Sequence, residues 1–208
     1  MDPAANLPAA RSELDAEELT FLAVKAMRED RDDDALGLLR RAIQRDPQSG
    51  KPHHLIGAIL ASQQKPARAI EAMTEALALE PQLAGARWQL GLLHFTSGNV
   101  VEARAVWQAF DGLEQDHPYR LFKTGMLHLA RDEFDDCVAM LERGTALCDT
   151  ASVNKDMQSV IDKVRAVVKP RQSASAAASA SQSPAQDEPQ HVMLARYKKP
   201  SPDDEKGP

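Results

Sequence analysis

The stretch GKPHHLIGAILASQQKPARAIEAMTEALALEPQL, residues 50–83, decides the fold of this chain. Its apolar residues recur three and four positions apart, the spacing of an amphipathic helix. Pro66 suits the first turn of a second helix, where the missing N–H costs nothing. Pro81 ends that helix, because the residue before a proline is pushed out of the α region. The stretch therefore predicts a helix, a turn and a second helix.

The same pattern recurs every 34 residues along the chain, which is a period typical of stacked helical repeats. Its landmarks form three aligned columns. The first column is Leu22-Ala23, Ile56-Gly57, Leu90-Gly91 and Thr124-Gly125; the second is Ala35, Ala69, Ala103 and Cys137; the third is Leu39, Met73, Trp107 and Leu141. Four in-phase copies predict four helix pairs.

Signals at both ends bound this repeated part. Asp15 and Glu18 have the spacing of a capping box, so helical order is expected to begin there. Val160, Ile161, Val164 and Val167 predict a last amphipathic helix over about residues 155–169, which covers the final apolar face. The predicted organisation is a flexible N-terminal arm over 1–14, a helical domain over 15–169 and a disordered Ser/Ala/Pro-rich tail over 170–208.

Charge and cysteine usage limit the class of protein. The formal net charge is −6, and there is no basic stripe, which argues against nucleic acid as the main ligand. No apolar run approaches the ~20 residues of a membrane span, and Met1–Ser12 lacks the apolar region of a signal peptide. Cys137 and Cys148 are too far apart on one helix for a disulfide. A cytoplasmic protein with free thiols is expected.

The period and the three columns resemble the tetratricopeptide repeat over about residues 16–149. The resemblance implies an all-α, right-handed superhelical solenoid of antiparallel helix pairs, in which the small residues let two helices approach closely. The family's closing proline is matched by Pro47 and Pro81, whereas Gln115 and Asp149 depart from it. The angles between the later helices are therefore expected to differ.

The resemblance also implies a binding groove on the concave face, lined by the first helix of each pair. The early part of this lining is polar or small, with Glu17, Thr20, Val24 and Met27 in the first pair. The predicted peptide-binding residues are Lys51, His54, Trp88, Leu92, Phe95, Tyr119, Phe122, Met126 and Leu129. Large apolar side chains on an exposed concavity predict a partner with apolar anchors, so truncating Phe95 or Phe122 is expected to weaken binding without unfolding the domain. The alternative is that the final helix and tail cover some of these residues and leave no site.

Other kinds of site find little support. The positions at which some family members grip a terminal carboxylate hold Thr20, Val24, Leu55, Gly85 and Gln89, none of which is cationic. His94 and His128 fall in one column, where packing is favoured over a metal site or pH switch. The sequence has no catalytic triad order, phosphate loop or metal-ligand cluster, so no enzyme activity, cofactor or metal is expected.

The sequence thus predicts a non-enzymatic adaptor, assembly factor or chaperone that binds an apolar peptide or helix. Two alternatives stay open: a chaperone of the bacterial type III secretion kind, which this chain also resembles, and a structural subunit that self-associates. A further hypothesis concerns the apolar segment Val192–Tyr197, flanked by Lys198-Lys199 in the tail. It either recruits a partner or docks in the chain's own groove.

Overall fold

The structure is a computed structural model that describes residues 14–178, with side chains as far as Val168. Every regular element in these residues is helical, which confirms the all-α prediction. The helices are α1 (Ala16–Arg28), α2 (Asp32–Arg45), α3 (Lys51–Ser62), α4 (Pro66–Leu79), α5 (Ala84–Thr96), α6 (Val100–Trp107), α7 (Pro118–Leu129), α8 (Phe134–Leu147) and α9 (Ala151–Ala178). The predicted N-terminal arm, apart from Leu14, lies outside the described residues.

The chain divides into two compact units, with the boundary between Gln89 and Leu90, inside α5. In unit 1, which ends at Gln89, α1 packs on α2 and α3 packs on α4. In unit 2, which begins at Leu90, α7 packs on α8, and α8 packs on α9. Each of these pairs within a repeat is joined by a short turn, so its two helices are antiparallel.

The helix boundaries follow from local chemistry. The amide of Glu18 donates to Oδ1 of Asp15 at 2.8 Å, and the amide of Asp15 donates to Oε2 of Glu18 at 2.9 Å, as the capping-box prediction required. Pro66 and Pro118 each occupy the first position of a helix. α2 and α4 end at Arg45 and Leu79, two residues before a proline, as predicted.

The period of 34 residues extends to the backbone of the turns. Asp30, Gln64, Gly98 and Asp132 all have positive φ, at 57°, 60°, 85° and 58°. In each turn the backbone amide of this residue donates to the carbonyl oxygen three positions earlier. The backbone amide of the next residue donates to the carbonyl oxygen five positions earlier, for example from Arg31 to Ala26. This left-handed cap satisfies the last carbonyls of the first helix. The sequence places glycine there only once, so composition alone does not reveal the cap.

The three aligned columns form the core of the helix pairs. All members of the second and third columns are fully buried. A Cβ added at Gly57 would lie 2.7 Å from Cγ of Met73, and one at Gly125 would lie 2.8 Å from Cδ2 of Leu141. The small residue of one helix therefore receives the large residue of its partner helix, which confirms the close approach that the repeat predicts.

The later helices depart from the regular pattern. α6 ends at Trp107 and continues as a 3₁₀ turn over Gln108–Gly112, in which Phe110 is buried. The missing proline at Gln115 accompanies this change. α9 packs Met157, Ile161 and Val164 into the core, as expected of the final helix.

α9 is longer than predicted. It begins at Ala151 rather than near residue 155, and it runs past Pro170 to Ala178. Alanine is the best helix former, so the Ala-rich residues 174–178 favour continuation of the helix. The predicted boundary between domain and tail therefore falls inside α9, and residues 179–208 lie outside the described residues.

Two further properties concern the length of the helices and the state of the cysteines. None of the helices in the described part of the chain is long and apolar enough to cross a membrane. Both cysteines are free: Cys137 is buried, and Cys148 is half-buried. Burial raises the pKa of the Cys137 thiol to about 12, so that this group stays protonated and packs as a small apolar residue.

Candidate functional site

The large apolar residues of the predicted groove belong to the core. Trp88, Phe95, Phe122 and Met126 have no exposed surface, and Leu129 is 3% exposed. The ring of Phe95 lies 6.1 Å from that of Trp107, between their centroids. These side chains pack against other helices of the fold, because burial removes more apolar surface from water than a groove would. The prediction that they line an exposed groove is therefore wrong.

The remaining predicted groove residues are more accessible. Lys51 is exposed, whereas His54, Leu92 and Tyr119 are half-buried. The Tyr119 ring stacks on that of Phe110, with centroids 5.2 Å apart and an interplanar angle of 12°. Burial raises the pKa of the Tyr119 hydroxyl. In unit 2, Tyr119 is thus held in an aromatic stack, while Lys51 and His54 belong to unit 1.

The first-helix face of unit 1 does form a cleft. Glu17, Thr20 and Val24 of α1 and Lys51 of α3 line it. Together with Ala16, Phe21, Asp46 and Ser49 they enclose about 280 Å³. We call this cleft, with the adjoining Leu14, Glu18 and Leu22, the α1 surface. The polar and small part of the predicted lining is therefore the part that is open.

Phe21 is the functional candidate that the sequence reasoning missed. Its side chain is 71% exposed and borders both depressions of the α1 surface. Phe21 follows Thr20, a predicted groove position, by one residue. The available signal was a large aromatic residue outside the core face, which is formed by Leu19, Ala23 and Ala26. An exposed phenylalanine beside further apolar atoms is a candidate contact residue.

His54 is tied to the body of unit 1 by a hydrogen bond. Its Nε2 lies 2.9 Å from Oε1 of Gln89, which fits the tautomer in which Nε2–H donates. Burial lowers the pKa of His54, and this effect outweighs the opposite effect of the hydrogen bond to Gln89. The imidazole is therefore a neutral structural group and not a cationic contact for a partner.

This state of His54 predicts a pH-dependent stability. Because its pKa is lower in the folded chain, the unfolded chain binds a proton first as pH falls below about 6.5. The contribution of neutral His54 is fully present above that pH and is lost progressively as pH falls towards the lower pKa of the folded chain. Urea unfolding at pH 7.5 and 5.5 should show a smaller loss of stability for His54→Asn than for the wild type. An equal loss in both proteins would contradict the prediction.

Unit 2 carries two clefts outside the predicted groove. One, of about 620 Å³, lies between α6 and α7 beside the ion pair of Lys123 Nζ and Asp111 Oδ1, 2.5 Å apart. The other, of about 510 Å³, lies between α8 and α9. Its residues are Phe134, Asp135, Val138, Ala139, Glu142, Val164, Arg165 and Val168, and we call it the α8–α9 cleft.

One group in the described residues has the donor set of a metal site. The ligand atoms of His128, Glu133 and Asp136 lie within 4.8 Å of one another. Arg131 Nε already donates to Oε2 of Glu133 at 2.9 Å, and His128 Nδ1 lies 2.5 Å from the same oxygen. The hydrogen bond from His128 lowers the pKa of Glu133, with a further contribution from Arg131. A guanidinium thus supplies the positive charge that a metal ion would bring.

Comparison with known proteins supports the repeat interpretation. Residues 60–121 match the family model described as tetratricopeptide repeat, which leaves the count of four repeats as a prediction. No curated protein matches the chain by sequence. A thermophilic TPR protein from Thermus thermophilus shares the fold with a TM-score of 0.60 and 19% identity, covering 88% of this chain and 96% of that one.

Two further solved structures share the fold at low identity. MamA from Desulfovibrio magneticus RS-1 has a TM-score of 0.54 and 13% identity, covering 87% of this chain and 95% of that one. The human IFIT1 dimer with PPP-AAAA has a TM-score of 0.59 and 18% identity, covering 78% of this chain and 41% of that one. Residues 60–121 thus match the tetratricopeptide repeat family, and the described chain shares the fold of tetratricopeptide repeat proteins.

Proposed function

We propose that this chain is a non-enzymatic protein-interaction module that binds an apolar segment of a partner on the α1 surface. The observation that carries the proposal is Phe21, which is 71% exposed at the edge of a cleft on the first-helix face. The tetratricopeptide repeat fold generally serves protein–protein interaction, which supports the coarser part of the proposal. The roles of adaptor, assembly factor and chaperone all fit this mode of binding.

The chemistry of the α1 surface favours a particular partner. Leu14, Phe21 and Val24 offer apolar contacts, while Glu17, Glu18 and Asp46 place three carboxylates around them. Lys51 is the one cation among the described residues that line the cleft. A partner segment with one or two large apolar anchors and a neighbouring Lys or Arg complements this surface. At ~25 cal/mol per Å², a few hundred Å² of apolar burial supports roughly micromolar binding after association costs.

Several other assignments are less well supported by this surface. The human IFIT1 structure contains PPP-AAAA, but phosphate binding needs cations, and the α1 surface is predominantly acidic. Repeat folds of this type are typically scaffolds rather than enzymes, and we propose the same here. The free thiols of Cys137 and Cys148 fit the cytoplasmic location that we propose.

The test uses the full chain and a displayed library of random 12-residue peptides. Selected peptides should combine apolar anchors with basic residues, and they should bind the wild type with roughly micromolar Kd. Phe21→Asp should weaken their binding by about tenfold or more, because it removes the anchor contact and adds a fourth carboxylate. Fluorescence anisotropy on the labelled peptides measures this difference.

Val101→Asp is the matched control. Val101 lies in unit 2 on α6 and is 78% exposed, so this variant adds the same charge at another exposed apolar position. It should leave peptide affinity unchanged, and both variants should keep the helical circular dichroism of the wild type. Equal affinity of wild type and Phe21→Asp would refute the proposal. Light scattering that shows a wild-type dimer and a Phe21→Asp monomer would support the self-association alternative instead.

A further inference from the structure

The α8–α9 cleft is an open apolar surface at the last helix pair of unit 2. Phe134 and Val138 of α8 and Val168 of α9 are half-buried, while Val164 at its base is fully buried. Its volume of about 510 Å³ lies within the range of roughly 300–1,000 Å³ found for ligand pockets. A stacked helical array needs its terminal apolar face to be covered, and here Phe134, Val138 and Val168 keep part of their surface exposed.

The charge of the cleft is asymmetric. Asp135 and Glu142 lie on its α8 side, and Asp136 is adjacent and exposed. Among the side chains that the structure describes, Arg165 is the only cation in the lining, and it is paired with Glu142. Arg165 and Glu142 neutralise each other, so the carboxylate of Asp135 gives the described lining a net negative charge. An occupant with apolar side chains and a net positive charge matches this surface.

The chain itself contains such a segment. Residues 191–199, HVMLARYKK, combine Val192, Met193, Leu194 and Tyr197 with three cations, Arg196, Lys198 and Lys199. The segment contains no acidic residue, whereas the preceding residues include Asp187 and Glu188. It is thus an apolar and basic island, which is the chemistry that the cleft accepts.

The length of the connection allows this segment to reach the cleft. From Val168 to the end of α9 at Ala178, ten helical residues cover about 15 Å at 1.5 Å each. Ala178 and Val192 are 14 positions apart, and a flexible chain of that length would span about 20 Å, from ~5–6 Å × √n. The span of about 20 Å exceeds the distance of about 15 Å between Val168 and the end of α9. Val192 can therefore return to the cleft. A short tether gives an effective concentration on the order of 1 mM.

From these observations we propose that the α8–α9 cleft is a docking site for this chain's own segment Val192–Tyr197. An apolar contact with a dissociation constant of about 0.1 mM would then be occupied about ten times more often than empty. The docked segment covers Phe134, Val138 and Val168, and its cations lie near Asp135 and Asp136. The site is separate from the α1 surface, so this inference does not depend on the proposed function.

Hydrogen exchange on the full-length chain tests the docking. The variant Met193→Ser/Leu194→Ser/Tyr197→Ser removes the anchors of the docking segment and changes no residue of 14–178, so the fold of those residues should stay intact. Amide exchange in residues 134–142 and 161–168 should become about tenfold faster than in the wild type, because the cover is lost. Exchange in α3 of unit 1 should not change. The control variant Ala180→Ser/Ala185→Ser alters the tail outside the docking segment and should behave as the wild type.

Two further measurements decide the result. A synthetic peptide of residues 189–201 added to the triple variant should restore protection at millimolar concentration, and Asp135→Asn/Asp136→Asn should weaken that effect. Unchanged exchange in the triple variant would overturn the proposal. Protection that disappears on dilution of the wild type would also overturn it, since it would place the segment of a second copy in the cleft.

Discussion

Replacing Phe122 by alanine is expected to lower the free energy of unfolding by about 3–5 kcal/mol, rather than to weaken partner binding in a folded chain. Phe122 has no exposed surface. A Cβ added at Gly144 of α8 would lie 2.5 Å from Cε1 of this ring, which shows how closely the ring packs against the facing helix. Tyr119 contacts it edge-on, with centroids 6.5 Å apart. Removal of the Phe122 ring therefore leaves a large cavity between α7 and α8.

Urea unfolding followed by circular dichroism measures this loss. Val101→Ala is the control, because Val101 is an exposed residue of the same unit and should change stability by no more than about 0.5 kcal/mol. Phe95→Ala should resemble Phe122→Ala, since Phe95 is also fully buried and packs on Trp107. If the unfolding midpoint of Phe122→Ala equalled that of the wild type, the ring would be a surface group after all.

The helix pairs could be predicted from the sequence because their signals are local. The capping box at Asp15 and the prolines at 47, 66 and 81 act within one turn of the residues that they stop or start. The pairing of Gly57 with Met73 is also short-range, since both residues belong to one helix–turn–helix. Because the pattern repeats every 34 residues, a helix boundary or contact predicted in one copy is also predicted at the equivalent positions of the next copy.

The groove could not be predicted in the same way. Adjacent helix residues point about 100° apart, so a shift of one position exchanges an open face for a buried one. Thr20 lines the cleft of unit 1, and the neighbouring Phe21 is the exposed aromatic residue that the column did not include. In the later pairs, the same columns hold Phe95, Phe122 and Met126, whose burial depends on the surrounding helices and not on their column.

The α8–α9 cleft depends on still less local information. Phe134 and Val138 lie on α8, whereas Val164 and Val168 lie on α9, so the cleft exists only once these two helices have packed. The sequence predicted a final amphipathic helix, but amphipathicity does not determine how much of the facing helix remains uncovered. The angle between α8 and α9 depends on how the side chains of both helices interdigitate. The apolar periodicity of one helix does not provide this information.

Gly91→Ala and Gly37→Ala are expected to change stability in opposite directions, although both replace glycine inside a helix. In Gly91→Ala, the new Cβ would lie 2.6 Å from Cδ1 of Trp107 and closer still to Nε1 and Cε2. The indole is rigid and fully buried, so α5 or α6 has to move. Overpacking of this kind costs roughly 1–3 kcal/mol or more, which exceeds the ~1 kcal/mol gained from the helix propensity of alanine.

Gly37 lies inside α2, and a Cβ there would meet nothing within 4 Å. Gly37→Ala should therefore keep the full propensity gain and raise stability by about 0.5–1 kcal/mol. Gly57→Ala should fall between the two, because the two nearest atoms, at 2.7 and 3.2 Å, belong to the unbranched side chain of Met73, and the carbonyl oxygen of Ala69 follows at 3.3 Å. Urea unfolding measures the free energy of unfolding of the three variants, which should decrease from Gly37→Ala through Gly57→Ala to Gly91→Ala. Stabilisation by Gly91→Ala would mean that Trp107 does not occupy the space above this glycine, and the close helix approach at the centre of each repeat would then be wrong for the third pair.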